Sequence, residues 1–277
     1  MSSTARARRS DVWFHAVMAP VTLLYISPML FVITLSLRSF NDIMSRGVAA
    51  WPHSFSGHGF RTAWTSGTQQ ALVNSLIVTV ATVALSLTLA SMAAFALSRY
   101  HIPYRRLILM VMLAGNLLPP QILLIPVAKI TEAMGIYDTL KALVVVQVGF
   151  GMGFYTFVLH GFMRSIPAEV FEAAEIDGVG TWRAYTSLVL PLSRPSLAAL
   201  AALAFTWVFN DLIWAMTVLR TQTKFPITAA LINLQGGFVS QWDVVAAGSL
   251  IGALPPAIMF FAFQRHFVSG LMVGSTK

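Results

Sequence analysis

Glu169-Val170-Phe171-Glu172-Ala173-Ala174-Glu175-Ile176-Asp177-Gly178, followed by Leu190-Pro191, is an acidic, amphipathic island between two apolar runs. Glu169, Glu172, Glu175 and Asp177 are four of the chain's 10 acidic residues. On one side lies the uncharged stretch between Lys141 and Arg164. On the other is the stretch between Arg194 and Arg220, interrupted only by Asp211. A helix rises 1.5 Å per residue and the hydrocarbon core of a bilayer is ~30 Å thick, so roughly 20 apolar residues suffice to cross. Both runs meet that length, and the charged island between them fits a loop presented to a partner.

Composition extends the reading to the whole chain. Of 277 residues, 57% are hydrophobic and only 10% charged, against about 25% charged in soluble domains. Lipid is the main solvent of such a chain. With no cysteine, disulfides, thiolate catalysis and cysteine metal sites are excluded. Further charge-free intervals run from Asp11 to Arg38, Arg61 to Arg99, Arg106 to Lys129 and Asp243 to Arg265. The expected spans are 13–37, 71–97, 107–127, 141–163, 196–219 and 244–263. Each is a helix, because backbone in lipid must satisfy its own polar groups. The predicted fold is an all-α membrane protein with six transmembrane helices in one domain, 1–277.

Lys and Arg set the orientation. With the N-terminus inside, Arg6, Arg8, Arg9, Arg99, Arg105, Arg106, Arg164, Arg183, Arg194, Arg265 and Lys277 are cytoplasmic. Arg38, Arg46, Arg61, Lys129, Lys141, Arg220 and Lys224 are outside. The bias puts both termini and the Glu172 loop, 164–194, in the cytoplasm. The net charge of +8 is then a topology signal, and its division among short segments argues against nucleic acid. The first apolar run is too long for a signal peptide and lacks a small-residue cleavage site, so it reads as a retained helix.

The outer segment 38–70, with Trp51-Pro52 and Trp64, reads as irregular chain with interfacial aromatic anchors. Pro119, Pro120 and Pro126 in the third span, and Pro255-Pro256 in the sixth, predict kinks, whether around a cavity or merely tolerated by packing. In the acidic loop, Ser165 is the expected cap of a helix that Pro167 and Glu169 begin well. Val170, Phe171 and Ala174 form its apolar stripe and Gly178 ends it. Thr181–Leu190 forms a second short helix, stopped before Pro191. The residues alone fit either a docking element or a solvated re-entry loop.

No catalytic signature is present. The tail Gly270–Lys277 lacks the Gly-Lys-Ser/Thr order of a phosphate loop, the six histidines are scattered without ligand-like spacing, and no metal site is expected. Asp211, in Trp207-Val208-Phe209-Asn210-Asp211-Leu212-Ile213-Trp214, is the one acid within a span. It is either a capped or paired acid that stabilises the bundle, or part of an aqueous path. In the second case Trp207, Asn210 and Trp214 join it, the indoles stacking on sugar rings.

With these residues placed, the chain closely resembles the permease subunits of bacterial binding-protein-dependent ABC importers, nearest to the carbohydrate branch. The family's cytoplasmic motif is matched by Glu172, Ala173, Ala174, Gly178 and Leu190-Pro191. The branch's extended form is matched by Asp177, Tyr185 and Pro195. Asn74-Ser75-Leu76, Ala93–Arg99, Gln264-Arg265 and Gly270-Leu271 also resemble family positions, and the tail Val273–Lys277 is similar to the usual ending. Phe209-Asn210-Asp211 stands where the family often has Trp-Asn-Glu or Trp-Asn-Asp.

The resemblance implies an assembly. A second permease forms a heterodimer with this one, two cytoplasmic ATPases bind ATP and Mg, and an extracytoplasmic solute-binding protein delivers a di- or oligosaccharide. This chain itself carries no cofactor and is not an enzyme. The loop with Glu172, Ala173, Ala174, Asp177, Gly178, Leu190 and Pro191 would be the coupling element, seated in a groove of one ATPase. The alternatives are glycerol phosphate or another polyol as cargo, and a secondary transporter working alone.

Overall fold

The structure, a computed structural model, describes the backbone of residues 3–234 and 241–272, and the side chains of 13–234 and 241–263. Among the described residues no β-strand forms beyond an isolated bridge between Arg38 and Phe55. The chain divides into two compact units. One is Met1–Thr68 with Leu231–Gly252, the other Gln69–Ala230 with Ala253–Lys277.

The first unit begins with α1 (Ser3–Ser36), which carries Pro20 and Pro28 in its interior. Its described residues from 13 to 31 are exposed throughout. A helix that is apolar all round has no watery face to offer, as expected of a segment surrounded by lipid. Only its end packs, Leu35 and Val32 closing on Ile43 and Ala246. The 38–70 segment is more ordered than expected: it folds into α2 (Phe40–Arg46) and α3 (His58–Ala63). Ser39 caps α2 by accepting from the Asp42 N–H. Arg38 is 1% exposed; its Nε donates to Asp42 Oδ2 at 2.6 Å and its Nη1 to the Gly47 and Val48 carbonyls. That ion pair holds the Asp42 carboxyl below its ordinary value, the hydrogen bond from Arg38 being the largest cause. A buried guanidinium persists only when paired in this way. Gly59 packs so closely that a Cβ would meet the Asp243 carbonyl oxygen at 2.7 Å. Trp51, 80% exposed, remains free to lie in a membrane interface.

A widened helical turn, Trp64–Thr68, contains Gly67 at φ +100 and leads into α4 (Gln69–Arg99). The second unit is built on α4 and α7 (Leu140–Arg164). Their N-terminal ends meet where Val78 packs among Ala142, Leu143 and Val146. Their C-terminal ends meet where Ala90, Ala94 and Phe95 pack with Tyr155, Leu159 and Met163. The two helices therefore run parallel, and the chain between them must travel back the length of the bundle. It does so in two pieces, α5 (Arg105–Ala114) and α6 (Pro120–Ala133), about 15 and 21 Å long. The third span is thus broken rather than kinked. α5 ends at Gly115, and Pro119-Pro120 starts a new helix with proline in its first turn, where its missing N–H costs nothing.

After α7 come α8 (Ala168–Ile176) and a helical stretch formed by α9 (Thr181–Ala184), a π-turn over Tyr185–Val189 and α10 (Leu190–Leu192). A 73° bend separates this stretch from α11 (Arg194–Phe209). α12 (Ile213–Val218) continues the return, and the Asp138 N–H donates to the Val218 carbonyl at 2.8 Å, beside the start of α7. Then come α13 (Ile227–Asn233) and α14 (Trp242–Met272), the latter continuous through Pro255-Pro256. Four helices are by themselves long and apolar enough to cross a membrane, and the bent pair of Thr181–Leu192 and Arg194–Phe209 makes a fifth candidate. The expected fifth span is not one straight helix, since residues 210–212 leave the helical path. The tail Val273–Lys277 lies outside the described residues.

Two polar fastenings fix the end of the second unit at which α7 starts. Asn74 Nδ2 donates to the Thr223 and Phe225 carbonyls, and Ser75 Oγ accepts the Ile227 N–H at 2.8 Å. Asp138, at φ 55, accepts from the N–H groups of Arg220 and Thr221, from the Thr221 hydroxyl at 2.6 Å and from Lys224 Nζ at 2.9 Å. Those donors, the Thr221 hydroxyl foremost, hold its carboxyl well below the usual carboxylate range.

Two outcomes follow for stability. Gly153 faces α5 so closely that a Cβ would run into the Met112 carbonyl. Gly153→Ala should cost about 1–3 kcal/mol and lower the thermal midpoint of the purified protein. Asp138→Asn should also lower it. Because the folded-state pKa is depressed, that contribution is whole above the ordinary value of 3.8 and is lost as pH falls through the folded value. The gap between wild type and variant should stay constant from about pH 7 to 5 and shrink only below about 4.

Candidate functional site

The acidic loop is built by its ends. α7 stops at Arg164, and the Ser165 hydroxyl donates back to the Phe162 carbonyl at 2.7 Å. Ser165 therefore closes α7 and does not cap α8, as the sequence had suggested. Pro167 holds the cap position without a side-chain hydrogen bond. Glu169 lies in the first turn of α8, where the helix dipole favours an acid. Ala174 is buried, and Val170 and Phe171 pack on the core cluster around Phe95, Met163 and Tyr185. Glu172, Ala173, Glu175, Ile176, Asp177 and Gly178 are all exposed, and Ile176 is 87% exposed.

At the end of α8 Gly178 takes φ +71. Its N–H donates to the Glu175 carbonyl, and the Val179 N–H donates to that of Ala174 at 2.9 Å. This pair of bonds is a Schellman turn, which needs a left-handed residue at that position. Nothing lies within 4 Å of where a Gly178 side chain would start, so glycine serves the backbone and leaves the surface around it open.

Arg99, at the end of α4, fastens the loop to both long helices. Its Nη2 donates to the carbonyls of Met163 and Ile166, and its guanidinium lies 3.6 Å from the centre of the Phe171 ring. Such a cation on an aromatic face adds electrostatic attraction to the packing. The Tyr100 hydroxyl reaches Thr181 Oγ1 at 3.0 Å, and Tyr185 is buried with its hydroxyl 2.6 Å from Ser91 Oγ. The second short helix does not stop before Pro191 but runs through it. The π-turn, in which the Leu190 N–H bonds to the Tyr185 carbonyl, widens the helix just before the ring that would otherwise clash.

Asp211 lies in the break between α11 and α12. Its carboxylate accepts from the N–H groups of Trp214 and Ala215 at 3.4 and 3.2 Å and from Gln147 Nε2 at 3.0 Å. Thr228 Oγ1 donates to its carbonyl at 2.6 Å. It is thus a capping acid, and it also lines a cavity of about 330 Å³ with Gln147, Trp207 and Trp214. The four expected path residues are not equivalent. Trp214 is 8% exposed and stacked on Phe150 at 4.6 Å, whereas Trp207 is 53% exposed with its ring tilted against Phe154 at 5.3 Å. Asn210 donates to the Thr206 carbonyl and is not among the lining residues. Sequence reasoning missed Gln147 and Asn116, and it named Arg99 without giving it the role of a clamp. A lone amide within the charge-free run 142–163 was the available signal for the first. The groups of His, Asp and Glu among the described residues include none suited to hold a metal ion.

The helical fold, its long apolar segments and an exposed acidic loop are those of a membrane-embedded protein. Comparison agrees. The family described as binding-protein-dependent transport system inner membrane component matches residues 86–273. The diacetylchitobiose uptake system permease protein of Streptomyces coelicolor is 31% identical over 273 residues, 98% of this chain and 90% of that protein. The trehalose transport system permease protein of Mycobacterium tuberculosis is 28% identical over 275 residues, 98% of this chain and 99% of that one. A bacterial ABC transporter involved in the import of the acidic polysaccharide alginate shares the fold, with a TM-score of 0.79, 21% identity and coverage of 96% of this chain and 99% of that one. This chain belongs to the binding-protein-dependent transport system inner membrane component family and is an inner-membrane permease.

If Arg99 anchors the loop, Arg99→Met should free it. Losing hydrogen bonds from a charged donor costs about 1.5–3 kcal/mol. A tenfold rise in native-state tryptic cleavage at Arg183, equivalent to about 1.4 kcal/mol of local opening, is the expected outcome by mass spectrometry.

Proposed function

We propose that this chain is one of two membrane subunits of an ATP-driven importer, moving a di- or oligosaccharide delivered by an extracytoplasmic binding protein. The observation that carries the reading is α8: an exposed acidic helix, closed by the Gly178 turn and clamped by Arg99 to the ends of both long helices. A surface fixed to the bundle but open outward is suited to receive a stroke from another protein. The cytoplasmic ATPases, which would bind Mg-ATP, seat α8 in a groove. Glu172 and Asp177 provide polar contacts there, Ala173 allows close approach, and Leu190-Pro191 supports the element from behind. This chain hydrolyses nothing. It makes six crossings, α5–α6 and α11–α12 being broken ones, with both termini in the cytoplasm and the whole chain forming a single permease domain. A second, different permease completes the path. Sugar as cargo is supported by the relatives named for diacetylchitobiose and trehalose.

ATP-driven closure of the ATPases then shifts the permease pair between inward- and outward-facing populations. Cargo passes the cavity lined by Trp207, Asp211 and Trp214.

Gly178→Asp tests the coupling assignment, because the open space around Gly178 and the tolerance of Asp for left-handed backbone leave the fold little changed. The variant should insert normally, lose the co-purifying P-loop ATPase, and retain under a tenth of wild-type uptake. Normal uptake with the ATPase still bound would sink the assignment.

A further inference from the structure

The cavity at the α11–α12 break has a chemistry of its own. Its lining includes Asn116, Gln147, Tyr155, Trp207 and Asp211, and no lysine, arginine or histidine. The Asp211 carboxylate is met only by N–H donors, from Gln147, Trp214 and Ala215, the partners an ionised carboxylate takes. Among the described residues no cationic side chain pairs with it. This arrangement also orients the Gln147 amide. Its NH₂ must face an acceptor-only carboxylate, so Oε1 is turned the other way. Gln147 is 7% exposed, and its Oε1 has no hydrogen-bond partner. A buried acceptor left open in this way calls for a donor. Trp207, half exposed beside it, presents a flat apolar face.

Resting on the proposed sugar-import function, we propose that this cavity is a charge-selective cargo site, in which Gln147 and Asp211 accept hydroxyl hydrogens, Trp207 stacks on the ring, and the unneutralised Asp211 excludes anionic cargo. The ligand class is a neutral polyhydroxylated ring. Sugar phosphates, polyol phosphates and uronates are rejected by like charge. A second negative charge ~8 Å from Asp211, at an effective dielectric constant of ~20, is disfavoured roughly 30-fold. Gln147 thereby acts as a specificity residue, holding Asp211 with one end and offering the other to cargo.

The test uses the complete importer, with its partner permease and ATPases, in nanodiscs. The probes are trehalose, N,N′-diacetylchitobiose and trehalose 6-phosphate. Binding is read as quenching of the fluorescence that Trp207→Phe removes. Wild type should bind at least one neutral probe, and trehalose at least tenfold more tightly than trehalose 6-phosphate. Asp211→Asn keeps an acceptor for the α12 cap and should bring those two within about threefold, mainly by gaining the phosphate. Gln147→Leu should weaken the neutral probes about tenfold. Trp207→Leu, at a half-exposed position where folding is not at stake, should weaken them similarly when followed by calorimetry. An unchanged neutral-to-anionic ratio in Asp211→Asn, or equal binding of trehalose and its phosphate by wild type, would overturn the proposal. So would binding of none of the three by an importer whose ATPase still responds to its loaded binding protein, and in that case the importer function would stand. Wild-type chain recovered without any ATPase would instead overturn the importer function itself.

Discussion

Everything in the second unit depends on the parallel contact between α4 and α7. Lipid gives two apolar helices no hydrophobic reason to associate, so their contact must come from close packing and internal polar bonds. The facing residues are accordingly small, with Ala90, Ala94, Ala142, Ser75, Thr79 and Thr156 among those buried. Gly153 allows α5 to touch α7. The contact is also fastened at its ends, by Asn74 and Ser75 to the 223–227 segment and by Arg99 to the Met163 carbonyl of α7, the Ile166 carbonyl just beyond it and Phe171. Because the pair is parallel, the topology of the rest is forced: each partner helix must return the chain to the starting end.

Those return segments are the broken ones, and the breaks have a common logic. Irregular backbone at membrane depth survives only where protein or a wet cavity satisfies it. At 210–212 the Asp211 carboxylate serves the first N–H groups of α12 and Thr228 serves the Asp211 carbonyl. At 185–191 a π-turn accommodates Pro191. At 115–119 the helix is interrupted between Gly115 and Pro119, and Asn116 ties back to the Met112 carbonyl. Asn116 and Asp211 both line the same cavity. The helix breaks that make the return crossings irregular are therefore also what brings polar groups into an apolar bundle.

The class of the protein was legible because charge is so costly in lipid that its absence marks the long segments directly. α1, α4, α7 and α14 are each built around one of those charge-free runs. The acidic loop was equally legible, since its apolar stripe and Gly178 are local features and the structure realises them locally. The breaks were not. A run of apolar residues has the same composition whether it forms one helix or two, and Pro119-Pro120 fits a kink as well as a new start. Asp211 was noticed as an acid out of place: it caps α12, as one of the two readings considered for it has it, and it also lines a cavity. The burial of Arg38 was not legible either, because it depends on Asp42, four residues on, whose carboxylate its Nε meets at 2.6 Å. Gln147 was overlooked because a neutral amide does not interrupt a charge-free run, although it is buried beside the acid.

Both candidate sites touch one continuous helix, α7. Gln147 and Met163 are both on α7, separated by 16 residues or ~24 Å of unbroken helix. One marks the cavity; the carbonyl of the other is held by the clamp on the acidic loop. Opposite it, α11 is bounded by the 73° bend at one end and the 210–212 break at the other. A continuous helix transmits displacement along its axis, whereas bends absorb it. On the proposed reading, a push on α8 reaches Gln147 through α7 with little loss, while Asp211, seated in a break, has freedom to respond differently. The Gln147–Asp211 hydrogen bond then joins a stiff part to a compliant one. A contact of that kind can change length when the ATPases close, which is what alternating a cargo site between exposures requires.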